Sequence, residues 1–205
     1  GVVVVGADTA LGAAPGSATA NFLVLDNGTL YSTNTFTLST NRGMTLGTLG
    51  GTIQVLSGKT LTYDAIIAGA GPLVKDYAGT LSLGGNSTFT GGVKITSGVL
   101  RFTADTNLGG VPATGMTNAI VINGGTLYSY SSADPTINAK RGINVTSAAG
   151  GSIQVYSART LTYPGNLTGT GNLSKDGAGT LVMTSTGTYS GTLTINSGVV
   201  IWNGT

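Results

Sequence analysis

A chain of 205 residues with 35 glycines, 8% charged residues and neither Cys nor His leaves little room for side-chain chemistry. Ser-His-Asp and Cys-His nucleophiles are excluded and an ordinary zinc site has no ligands. A net charge of +2, carried by scattered Lys and Arg, is too small for a nucleic-acid or membrane-surface footprint. Many β-branched residues, few strong helix formers and frequent glycine predict an all-β chain, while 40% hydrophobic content excludes a disordered linker. No stretch nears the roughly 20 apolar residues of a membrane-crossing helix, so membrane insertion is not expected. The chain opens on Gly1 without a basic segment and apolar run, so no signal peptide is expected within it and any export signal lies outside.

In chain order, Val2–Val5 reads as a short apolar strand and residues 7–17 as a loop. Strands follow at residues 22–25 and 29–32 around the Asp26-Asn27-Gly28 turn, then at 35–38, 52–55, 60–63 and 64–67. Further strands are predicted at 73–75, 80–83, 93–96 and 99–102, where Leu81/Leu83, Val93/Ile95 and Leu100/Phe102 alternate with Ser82, Lys94 and Arg101. No window of ten residues has helical periodicity.

The chain repeats itself. Residues 1–32 align with 98–129 at an offset of 97, sharing ADT-x-LG and GTLYS; Arg42-Gly43 returns as Arg141-Gly142 at 99; from Gly50 against Gly150 the offset is 100. Three residues are therefore inserted between Ser129 and Gly150. The expected units are 1–97 and 98–197, with 198–205 starting a third or serving as a joining strand. A unit that must stack on its own copy is a packing device rather than a catalytic one. Propeller blades run about 40–50 residues. A parallel β-helix with three short strands per coil needs roughly 20–25, giving four or five coils per unit and a rod of about 40–50 Å at the 4.8 Å strand spacing.

The blocks Gly71–Phe102 and Gly171–Trp202 share G-x-L-x-K-D-x-A-G-T-L, T-[FY]-[TS]-G and I-[TN]-S-G-V. This resembles the autotransporter-associated β-strand repeat, or passenger-associated transport repeat; the first block departs at Tyr77, where the family has Gly, and at Phe89, where it prefers Tyr. The resemblance implies a right-handed parallel β-helix in a bacterial surface or secreted protein, with the repeat as scaffold and secretion-associated stalk that carries no catalytic residues.

Asp76 and Asp176, each after a Lys, are candidate carboxylates for acid/base work or calcium, or corner residues bonding local backbone. Asp8 and Asp105 read as turn formers. The consecutive Gly- and Asp-bearing nonapeptides of a calcium β-roll are missing, and no cofactor is expected. A polysaccharide-degrading enzyme needs two Asp suitably spaced on one face. Tyr31, Tyr128, Tyr63, Tyr163, Tyr130, Tyr156 and Trp202 form either a sugar-stacking row or core and cross-strand ladders. The leading expectation is a structural β-solenoid whose uncapped apolar end strands meet head to tail in a homopolymer, or run on into a longer array. The joining residues would be Val2, Val3, Val4 and Val5 at one end and Val199, Val200, Ile201 and Trp202 at the other. The alternative is an adhesin with a lateral site, its partners including surface glycans.

Overall fold

The computed structural model describes residues 1–146, 150–184 and 187–204. Twenty-two short strands, every pair parallel, wind into a β-solenoid of about nine turns, and no α-helix occurs among the described residues. Parallel pairing follows from connectivity. Most strands end at a Gly, Asn or Ser corner that turns the chain onto the next face, so the hydrogen-bonding neighbour of a strand is the one a turn away.

Three faces result. The first is an eight-stranded sheet from Val2–Val5 to Leu167–Gly169, and the second another eight-stranded sheet from Phe36–Leu38 to Leu193–Ile195. The third holds Thr19–Leu25, Arg42–Leu46 and Ile67–Gly69 near one end and Thr160–Tyr163, Thr180–Met183 and Val199–Trp202 near the other. Between them the third face continues as irregular chain, with the Thr88 amide donating to the Ile67 carbonyl, Gly110 to Phe89, and Ile137 to Thr162. On the first face Val2, Thr29, Thr52, Val74, Lys94, Val121, Asn144 and Thr168 stand in register, 20 to 27 residues apart. Coil length thus brackets the expected value, with the longer coils carrying the loops after residues 5 and 102.

Those loops contain 3-10 turns, Asp8–Leu11 and Asp105–Leu108, which periodicity did not disclose. Residues 64–66, expected in a strand, form a corner before Ile67–Gly69; the Asp64 side chain lies under the next turn, where a Cβ on Gly84 would collide with it at 2.3 Å. The inward residues of all three faces, among them Leu30, Ile53, Leu61, Leu81, Ile95, Leu100, Ile122, Ile153 and Leu181, form one continuous buried core. Each such Leu or Ile contributes roughly 1.5–3 kcal/mol on leaving water.

The sequence repeat does not contain a whole number of turns. Val2–Val5 lies on the first face, its copy Val99–Phe102 on the second and the next copy Val199–Trp202 on the third. Likewise Leu73–Asp76 on the first face returns as Leu173–Asp176 on the second. One copy is therefore four turns plus one face.

Candidate functional site

The corner built by the repeated Lys-Asp pair is a structural device. In each block Leu and Lys fall at period two, so Leu73/Lys75 and Leu173/Lys175 point inward; both lysines have no exposed surface. A buried ammonium needs acceptors, and the chain supplies three carbonyls. Lys75 Nζ donates to Asp76, Tyr77 and Ser97 at 2.7, 2.5 and 3.1 Å. Lys175 Nζ donates to Asp176, Gly177 and Ser197 at 2.8, 2.7 and 3.2 Å. The lysine thereby ties its own corner to the corner one turn above. Gly98 and Gly198 complete it at φ +67° and +73°, where an added Cβ would lie 2.8 and 2.9 Å from the lysine nitrogen. The S-G-V phrase of the motif is thus explained by the lysine beneath it.

The carboxylates point outward. Asp76 accepts from Thr96 Oγ1 at 2.8 Å and Gln54 Nε2 at 3.1 Å. Asp176 accepts from Ser152, from Ser174 Oγ at 3.0 Å and from Asn196 Nδ2 at 2.8 Å. Partial burial pushes both carboxyls up, but hydrogen bonds, led by the Tyr77 amide at Asp76 and by Ser152 at Asp176, together with the adjacent lysine, outweigh it and hold them below the ordinary range. Such groups are tuned to stay ionised as acceptors, which suits ladder-building better than proton transfer.

Asp8 and Asp105 are more than turn formers. Arg42, fully buried, reaches one turn back: Nε meets Asp8 Oδ1 at 2.9 Å and the Nη atoms donate to the carbonyls of Leu11, Asp8 and Gly12. Arg141 repeats this with Asp105 at 2.8 Å and the carbonyls of Leu108, Gly109 and Gly110. Each arginine gathers the loose loop carbonyls that no strand satisfies. The clue was the joint return of Arg42-Gly43 and the ADT-x-LG loop in both copies.

The aromatic residues divide. Tyr63 and Tyr163 are buried, their hydroxyls donating to the Arg42 and Arg141 carbonyls. Tyr31 packs edge-on to Tyr77 at 5.3 Å, and Tyr128, Tyr130 and Tyr156 cluster on the outside with Arg101. Alternation places Arg101 outward but gives it no role; its seat beside Tyr128 on the neighbouring strand emerges only from the pairing of coils.

The end strands lie at opposite ends of the rod and on different faces. Among the described strands Val2–Val5 pairs with Gly28–Ser32, and Val199–Trp202 with Thr180–Met183. Val5 is buried and Val200 half-buried, whereas Val2, Val3, Val4, Val199, Ile201 and Trp202 are exposed. Thr205 lies outside the described residues.

The passenger-associated transport repeat matches residues 73–102 and 173–201, the stretches that begin at the two lysine corners. The chain carries the passenger-associated transport repeat twice. It is also 38% identical over 159 residues to the adhesin BmaC autotransporter of Brucella suis biovar 1 (strain 1330), covering 77% of this chain and 4% of that protein. No solved structure matches significantly. Passenger repeats of this kind are secreted to the bacterial cell surface, and that is the location of this autotransporter-type solenoid. No helix among its described residues is long and apolar enough to cross a membrane.

Proposed function

We propose that this passenger-repeat chain is a structural segment of a bacterial surface fibre or stalk, continued end to end by strand stacking into further repeats or into a second copy of itself. The observation that carries this reading is the pair of open terminal turns. Val3 and Trp202 point inward like the core residues Leu30 and Met183 beside them, yet are 52% and 40% exposed because no further turn covers them. A second copy turned by one face about the axis would bring Val2–Val5 over Val199–Trp202, a heterologous contact that does not close. Negative-stain electron microscopy of the purified chain tests this. Uniform fibres, lost on truncation after Ser197, are the expected result; short rods at every concentration would leave only the continued-array form. Support for a non-enzymatic role comes from the outward, fully hydrogen-bonded setting of Asp76 and Asp176. No nucleic-acid or membrane partner is invoked.

A second reading, adhesion along the flank, draws on the adhesin relative and on the exposed tyrosines.

A further inference from the structure

Val99–Phe102, Thr126–Ser129 and Gly151–Val155 are adjacent strands of the second face, so Arg101, Tyr128 and Gln154 form an outward row. Tyr130 and Tyr156 stand just past the ends of the second and third of these strands. The Tyr130 ring meets Tyr128 edge-on at 5.4 Å and Tyr156 at 5.0 Å. The Arg101 guanidinium lies 5.4 Å from the Tyr128 ring and 4.7 Å from the Tyr130 ring. Beside the rings opens a hollow of about 180 Å³ lined by Tyr130, Ser131, Ser132 and Tyr156.

Arg101 differs from the other buried or half-buried arginines. Arg42 and Arg141 each face an aspartate and several carbonyls, whereas Arg101 has no ion pair among the described residues and its buried Nε has no acceptor. Stacking on tyrosine occupies the face of a guanidinium and leaves its N–H edge for a carboxylate or sulfate. Arg159 closes the turn after Tyr156, its amide donating to the Tyr156 carbonyl at 3.2 Å, and Asp134 accepts from the Thr160 amide at 2.9 Å.

The solenoid does not need this cluster. At the matching places of the first copy stand Val4, Thr33 and Leu56 in place of Arg101, Tyr130 and Tyr156, and the same strands form. A peptide partner is disfavoured because Thr126–Ser129 is paired on both sides, leaving no free backbone edge for strand addition. What remains is a side-chain surface of ring faces, hydroxyls and the Arg101 guanidinium. We propose that Arg101, Tyr128, Tyr130 and Tyr156 form a binding site for an acidic saccharide: a pyranose stacks on the exposed Tyr130 and Tyr156 rings, and its carboxylate or sulfate meets Arg101. This rests on the flank-adhesion reading.

The test titrates the purified chain by calorimetry with a heparin hexasaccharide, an unsulfated oligogalacturonate and neutral cellohexaose at two salt concentrations. At least one acidic probe should bind ten-fold or more tightly than the neutral one, and comparison of the two acidic probes identifies the anion. Arg101→Gln and the double variant Tyr130→Ala/Tyr156→Ala should each lose ten-fold or more, with unchanged urea midpoints, while Lys94→Gln on the first face changes nothing. Acidic-saccharide binding that survives both site variants would overturn the site, and absence of binding to either acidic probe would overturn the ligand class. The same proteins are then applied to cultured epithelial cells. Wild-type binding equal to that of the variants discards the site but keeps flank adhesion; no cell binding by any of them discards flank adhesion itself.

Discussion

The two copies of the repeat keep the polar residues that close corners and loops and change several of those on the outer flank. Lys75/Lys175, Arg42/Arg141, Asp8/Asp105 and Tyr63/Tyr163 occupy equivalent places and make equivalent bonds. On the outside, Val4, Thr33 and Leu56 of the first copy become Arg101, Tyr130 and Tyr156, and Tyr77 becomes Gly177. The inner set closes corners and collects carbonyls, so any change leaves buried polar groups without partners. Outward positions on a sheet flank touch solvent and a few neighbours. Stability is thus carried by the inward side of the strands, while several positions on the outward side of the same strands are free to vary.

The largest test of that division removes the loop anchors. Arg141→Met should cost about 3–5 kcal/mol, since it leaves Asp105 with the Asn138 amide but no cation, and three loop carbonyls without their donor, in mid-rod. Arg42→Met should cost less, because the outermost turn it holds can fray. Urea unfolding of both variants checks the order, and equal small losses would mean that the anchors are ornamental.

Next comes the corner lysine. Lys75→Met should cost about 2 kcal/mol by stranding the carbonyls of Asp76, Tyr77 and Ser97. It also has a pH signature. Burial pushes the Lys75 ammonium from 10.5 down to about 8, against a smaller upward pull from Asp76. Between those values the unfolded chain holds the extra proton, so stability should rise with pH across that window. Burial raises the Tyr63 and Tyr163 phenols above their ordinary value, so above about pH 10 the folded chain holds the extra protons and stability should fall. Urea midpoints should therefore peak near pH 10, and because burial lowers the Lys175 ammonium too, the double variant Lys75→Met/Lys175→Met should abolish the rising limb alone. A limb that persists in the variant would assign it elsewhere.

The smallest effect is expected outside. Carrying the second copy's residues onto the first, as Val4→Arg, Thr33→Tyr and Leu56→Tyr, should move stability by no more than about 0.5 kcal/mol per position. Thermal melts of the triple variant check this, and a large loss would show that the flank is part of the scaffold.

How far the amino-acid order disclosed this molecule follows the same division. Period-two runs such as Leu81/Leu83 and the Gly corners gave strands and solenoid, because alternation is dictated by which side meets the core. In the sequence Lys75 shows only as the residue before the corner Asp76, although it shares its period with Leu73. A cation at an inward position is legible only once its acceptors are known, and Ser97 is 22 residues away. Arg42 and Asp8, 34 residues apart, were hidden for the same reason. Coil lengths varying from 20 to 27 residues concealed the fractional turn count.

That fraction has a geometric consequence. Four turns and a face at about 4.8 Å per turn make each copy a step of roughly 21 Å along the axis with a third of a revolution around it. In any longer run of such copies, equivalent outward patches trace a gentle spiral, and the same compass bearing recurs only every third copy, about 62 Å on. A flat surface approaching such a rod from any direction would find one patch in three facing it, so contact would not depend on how the rod happens to be rolled.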